Sequence, residues 1–339
     1  MTTEFAIQPD IPKRGMPVTI ITGFLGSGKT TLLNQILKNK QDLKVAVLVN
    51  EFGDINIDSQ LLIGIEDGMV ELSNGCICCT INDGLVDAVY RVLERDDRID
   101  YMVIETTGVA DPLPIALTFL GTELKHLTHL DSILTVIDAE TFTPEHYKSE
   151  AALNQLSYGD IIVLNKTDLV SEEHTQELER FVQVTKSKAR ILRSQYGEIP
   201  IPLILDVDLA KSGSYQPQKE EHHHDHKHDH KHEHDHDHKH SDHLANDGFI
   251  AVSFQSDRPF NLDKFQNFLD CLLPVDVFRA KGVFNFDGTD LRYIFQLSGK
   301  RYELKVDHRE KPLNNQAVFI GRNLDSELIQ KQLRACEVG

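Results

Sequence analysis

No run of about eighteen consecutive apolar residues, the length a membrane-spanning helix requires, occurs in the 339-residue chain. A helical span is therefore not expected, nor a membrane partner. The opening stretch, MTTEFAIQPDIPKRG, lacks the apolar centre of a secretory signal, so a cytoplasmic protein is expected. Basic residues are in deficit: 35 Lys and Arg stand against 53 Asp and Glu, for a net charge of −18. Such a chain is poorly suited to the phosphate backbone of duplex nucleic acid, and no nucleic-acid partner is expected. Cysteines number five, and three of them crowd into GCICC. An odd count clustered in this way does not suggest a disulfide framework. Cys271, in the apolar helix-like run FQNFLDCLLPV, is expected to be a core residue.

What is present is an alternation of strand-like and helix-like segments over the first two hundred residues. PVTIITG, KVAVLVN, DYMVIETTG, DSILTVIDAE and GDIIVLNKTD are apolar, β-branched and ended by polar residues, and KTTLLNQILKNK has the pattern of an amphipathic helix. Unalternated apolar strands separated by helices indicate an α/β fold, a mostly parallel sheet covered on both faces. Functional loops then belong at the carboxyl ends of the strands. The boundaries read as a tail over 1–16, the α/β domain over 17–205, a low-complexity linker over 206–247, and a smaller α+β domain over 248–336. In the last, GFIAVSFQ, LRYIFQL, KRYELKV and QAVFIG read as strands, and NLDKFQNFLDCLL and SELIQKQLRAC as helices.

GFLGSGKT, Gly23 to Thr30, fits the phosphate-loop pattern G-x-x-x-x-G-K-[ST] between a strand and a helix. Gly23, Gly26, Ser27 and Gly28 would wrap backbone N–H groups around phosphate oxygens. Lys29 would supply charge to the β/γ-phosphates, the Thr30 hydroxyl would ligate Mg²⁺, and Thr31 opens the helix. NKTD closes a later strand, with Asn165, Lys166 and Asp168 as base-reading candidates. A carboxylate there accepts from both N1–H and N2–H₂ of guanine, a donor pair adenine lacks, so GTP is expected over ATP. IETTG places Glu105 to reach Mg²⁺ or a water near the γ-phosphate, and Gly108 to donate its N–H to that phosphate and sense its loss. Glu105 also reads, more blandly, as a buried acid at a strand end. Asp138 is a weaker candidate for the same role as Glu105.

Three thiolates, Cys76, Cys78 and Cys79, suit Zn²⁺ but leave its tetrahedral shell one ligand short. Water, Glu51 or a partner's side chain could complete it, and an incomplete shell is what metal transfer requires. A structural zinc staple and a redox role for vicinal Cys78 and Cys79 are the competing readings. The remaining feature is a histidine comb. Twelve of the 17 histidines fall in EEHHHDHKHDHKHEHDHDHKHSDH, residues 220–243. His222, His224, His226, His228, His230, His232, His234, His236, His238 and His240 are candidate auxiliary ligands, weak individually and exchangeable. The plain alternative is a solvated, disordered linker.

TGFLGSGKTTLLN, NEFG, NGCICC, ETTGVADP and VLNKTDLV occur in the order seen in the CobW-type P-loop GTPases, and the chain resembles that family over roughly residues 17–200. FRAKGVFNF, YIFQLSG and AVFIG resemble its C-terminal domain. The family includes zinc chaperones of the Zng type and cobalamin-associated CobW proteins. The resemblance implies a GTP-hydrolysing metallochaperone in which Cys76, Cys78 and Cys79 carry the transferred metal, Glu51 matches an acidic residue near that site, and the C-terminal domain engages a client metalloprotein. Zinc is the commonest metal in the family and Co²⁺ the main rival. A cobalt chaperone of cobalamin metabolism and a His-rich zinc store are the alternative functions. Whether the chain forms a homo-oligomer stays open.

Overall fold

The computed structural model describes residues 15–40, 43–49, 81–95, 99–143, 149–206, 249–307 and 314–338. Glu51, Cys76, Cys78, Cys79 and the histidine comb lie outside the described residues.

Six parallel strands form the first sheet: β1 (Met16–Gly23), β2 (Val45–Val49), β3 (Tyr101–Glu105), β4 (Thr128–Asp138), β5 (Ile161–Asn165) and β6 (Arg190–Arg193). Their order is β2-β3-β1-β4-β5-β6. The strands are apolar without alternation because both faces are covered. Ile21 of β1 joins a core with Leu32, Leu33 and Ile36 of α1 (Lys29–Lys38). Val18 and Ile20 point the other way, into a core with Leu85 and Val89 of α2 (Ile81–Leu93) and Ile115 and Phe119 of α3 (Pro112–Gly121). Helices α4 (Glu150–Tyr158) and α5 (Glu172–Thr185) cover the β5 side through Leu156, Leu178 and Val182. A single turn, α6 (Ile201–Ile204), returns Leu203 and Ile204 to the α1 core. The parallel α/β architecture expected from sequence is therefore present. The strand β6, RILR, was not legible, being four residues long with an arginine at each end.

The second sheet is antiparallel, β10-β9-β8-β11-β7. It contains β7 (Phe249–Ser256), β8 (Val277–Asn285), β9 (Arg292–Ser298), β10 (Arg301–Asp307) and β11 (Asn315–Arg322). Helices α7 (Leu262–Asn267), continued by one wide turn to Leu272, and α8 (Ser326–Arg334) close a phenylalanine-rich core that includes Phe260, Phe265, Phe268, Phe284, Phe295 and Phe319. Cys271 corrects an expectation: it is exposed, and the buried cysteine is Cys336. The wide turn rotates position 271 away from the face that buries Phe265 and Phe268.

Strand β8 was hidden because its centre reads Arg-Ala-Lys-Gly, and its charges serve the contact between the two units. Arg279 pairs with Asp131 of β4, both side chains nearly fully buried. Lys281 pairs with Asp206, which was read as linker but also donates its N–H to Tyr101 Oη at 3.4 Å. Arg301 reaches Asp160 at 3.1 Å, and Phe278 enters the α1-side core of the first unit. Tyr101 donates to Asp131 and meets Thr19 Oγ1 at 2.8 Å, which carries the polar network into β1 itself.

Candidate functional site

The phosphate loop, ETTG, Asp138 and NKTD follow β1, β3, β4 and β5, so all four meet at one edge of the sheet. Lys29 is buried and its Nζ donates to the carbonyl of Phe24 at 3.0 Å, folding the ammonium back over the loop. Gly23, Gly26 and Gly28 have φ of 142°, 75° and 97°, a left-handed region closed to most side chains. Ser27 is 1% exposed, and its hydroxyl has no partner among the described residues. A buried hydroxyl on the glycine loop with no partner among the described residues fits a phosphate oxygen.

Thr30 Oγ1 donates to Glu105 Oε1 at 2.7 Å. Glu105 is 3% exposed and is held there by the register that pairs β1 Ile21 with it. A hydroxyl and a carboxylate in contact are hard oxygen donors, the set that suits Mg²⁺. Beyond Glu105, Thr106 Oγ1 donates to Thr22 Oγ1 at 3.1 Å, which ties the two loop roots together. Thr107, not singled out from sequence, has a buried hydroxyl with no partner among the described residues. Gly108 packs on the phosphate loop: a Cβ there would lie 2.5 Å from Leu25 N. From the far side Gln155 of α4 donates to the carbonyls of Gly108 at 3.3 Å and Ala110 at 3.0 Å. The ETTG segment is thus clamped between a helix and the phosphate loop.

Asp138 does not join Glu105. Its carboxylate accepts from Lys166 Nζ at 2.7 Å and from the Glu140 N–H at 2.9 Å. Burial alone would raise its pKa, but those hydrogen bonds prevail and hold it below the usual carboxylate range. It positions NKTD instead. Asn165 is a brace as well: its Nδ2 donates to Ser27 O at 3.0 Å, and its Oδ1 accepts from Gly197 N–H at 3.0 Å. One side chain thereby joins the phosphate loop, NKTD and the loop after β6. Asp168 stands exposed on the short turn Thr167–Leu169. The loop Ser194–Glu198 was missed from sequence because SQYGE carries no motif. Its membership of the site follows from contacts alone, among them Thr167 Oγ1 donating to Ser194 O at 3.1 Å.

The family described as CobW/HypB/UreG, nucleotide-binding domain matches residues 17–193, and the cobalamin synthesis protein cobW C-terminal domain matches residues 249–337. The chain belongs to the CobW/HypB/UreG family. It is 31% identical to a Pseudomonas aeruginosa protein named zinc chaperone CobW, over 94% of this chain and 91% of that one. It is 30% identical to the Escherichia coli protein named zinc chaperone YjiA, over 92% of this chain and 96% of that one. A Dictyostelium discoideum protein named zinc-regulated GTPase metalloprotein activator 1 is 38% identical over 56% of this chain and 48% of its own length. The chain thus spans about half the length of that relative. Among the described residues no helix is long and apolar enough to cross a membrane, and no group of three or more His, Cys, Asp or Glu could hold a metal ion.

Proposed function

We propose that the chain is a GTP-hydrolysing metallochaperone that takes up Zn²⁺ at Cys76, Cys78 and Cys79, with Glu51 nearby, and passes it to a client metalloprotein, release being coupled to hydrolysis. The observation that carries the nucleotide half is the Thr30–Glu105 contact beneath the glycine loop. In this reading Thr30 and Glu105 hold Mg²⁺, which when bound neutralises charge on the β- and γ-phosphate oxygens. Lys29 exchanges the Phe24 carbonyl for a phosphate oxygen. Asp168 accepts the paired donors of guanine, and Gly108 offers its N–H to the γ-phosphate. The metal half is supported by the GCICC sequence together with relatives named zinc chaperones over nearly the whole chain.

Energetics explain the pairing of the two halves. Thiolate zinc sites hold metal with apparent energies of about 10–16 kcal/mol at pH 7, and about 12 kcal/mol already corresponds to nanomolar affinity. Such a site releases slowly unless its affinity changes. Reversing a 1:99 preference takes about 5.5 kcal/mol of differential binding, and loss of the γ-phosphate is a source of such a difference. The test is a zinc titration of the full chain saturated with a non-hydrolysable GTP analogue and, separately, with GDP. Tighter zinc binding with the analogue, abolished in Cys78→Ser, is expected. Equal affinities in the two states would overturn the coupling.

A further inference from the structure

Two loops at the nucleotide edge hold non-glycine residues in the left-handed region, Lys166 at φ 62° and Tyr196 at φ 53°. Tyr196 and Gly197 are the central residues of a turn closed by Glu198 N–H donating to Gln195 O at 2.9 Å. With Gly197 at φ 70°, both central residues are left-handed, a pattern that selects Asn, Asp or Gly. A bulky aromatic is disfavoured there by sterics. Core burial does not compensate, since Tyr196 is 67% exposed. The turn is also unable to relax. Ser194 N–H donates to Leu164 O at 2.8 Å, Gly197 N–H is taken by Asn165, and Gln35 of α1 donates to Tyr196 O at 3.4 Å. A Cβ on Gly197 would lie 2.8 Å from Leu32 N, so the turn rests directly on α1. Costly backbone held by a rigid frame clusters at ligand and active sites.

We infer that Tyr196 is a base-binding residue: its ring covers one face of the guanine that Asp168 reads. The inference rests on the GTP reading and adds a residue to it. Stacking uses the π-face that every purine has, so Tyr196 contributes affinity, and discrimination stays with Asp168.

The test is calorimetric GDP binding to the full chain and its variants. Glycine suits the turn better than tyrosine, so Tyr196→Gly is expected to melt at the same or a higher temperature while losing about tenfold to a hundredfold in GDP affinity. Tyr196→Phe keeps the ring and should stay within about twofold of the parent. Inorganic tripolyphosphate, which has no base, should bind all three alike. The chain has no tryptophan, so Tyr196→Trp introduces the sole indole, and its emission should be quenched by GDP and not by tripolyphosphate. Undiminished GDP affinity in Tyr196→Gly would overturn the inference. So would an equal loss of tripolyphosphate binding, which would assign the effect to the loop backbone. Parent protein that binds tripolyphosphate but no guanine nucleotide would instead sink the GTP reading itself.

Discussion

Replacing Arg279 with methionine tests how the two units are held together. Arg279 and Asp131 have side-chain exposures of 6% and 4%, and Arg279 Nη1 also donates to Ser298 Oγ at 3.2 Å. Burial by itself would raise the pKa of Asp131, but the charge and hydrogen bond of Arg279, with Tyr101 donating as well, hold it below its ordinary value. Removing one partner of a buried pair strands the other charge, at a cost of about 3–5 kcal/mol. That is a large share of the ~5–15 kcal/mol by which domains are stable. Arg279→Met should therefore lower the urea midpoint markedly by circular dichroism. The double variant Asp131→Leu, Arg279→Met, with no charge left to desolvate, should recover to within about 1–2 kcal/mol of the parent.

The pH response supplies the sign. In the parent the depressed Asp131 pKa contributes stability above the unfolded value near 4, and this is lost as pH falls through the folded value. Without Arg279, burial dominates and the folded pKa rises above the unfolded one. The folded state then binds more protons, so Arg279→Met should regain part of its lost stability between pH 7 and pH 5, where Asp131 of the parent contributes no gain. A loss under about 1 kcal/mol, or parallel pH profiles for parent and variant, would refute the reasoning.

Asp168→Asn should weaken GTP binding by about a hundredfold, since of two charge-assisted hydrogen bonds of about 1.5–3 kcal/mol each one becomes neutral and the other becomes a donor facing a donor, and should favour xanthosine triphosphate, whose C2 carbonyl can accept from the new amide; competition binding measures both. Gly108→Ala puts a Cβ 2.5 Å from Leu25 N, so the phosphate loop must move. GTP turnover should fall, with about 1–3 kcal/mol lost in thermal unfolding. Lys186 is pushed down to about 8, first by burial, then modulated by Asp160 and by the cations Lys300 and Arg301. Its folded value lies below its unfolded one, so the unfolded chain binds the extra proton. Stability should rise from about pH 8 toward 10.5, and Lys186→Met should flatten that rise in urea titrations across the range.

Much of the fold was legible because parallel strands buried on both faces must be apolar throughout. VAVLV and IIVLN could belong to little else. The phosphate loop was legible because its task demands glycines, a lysine and a hydroxyl at set spacing. Strand β8 was not, since the burial of Arg279 depends on a carboxylate 148 positions away. Cys271 was misplaced because a helical pattern does not announce the wide turn that rotates it outward.

Roles divide in the same way. The amino-acid sequence alone determined the chemistry available: a phosphate-loop pattern, a carboxylate in NKTD, three clustered thiols and a histidine comb. For the groups among the described residues, the tertiary structure decided which partners each one takes. Asn165, a nucleotide-binding candidate from sequence, also braces three loops. Asp138, the weaker candidate for the metal or water role, pairs with Lys166. Tyr196 had no signal at all until its turn was seen resting on α1. The reason is physical: a motif states which atoms can donate or accept, whereas their partners are set by distances that close only when remote strands pair.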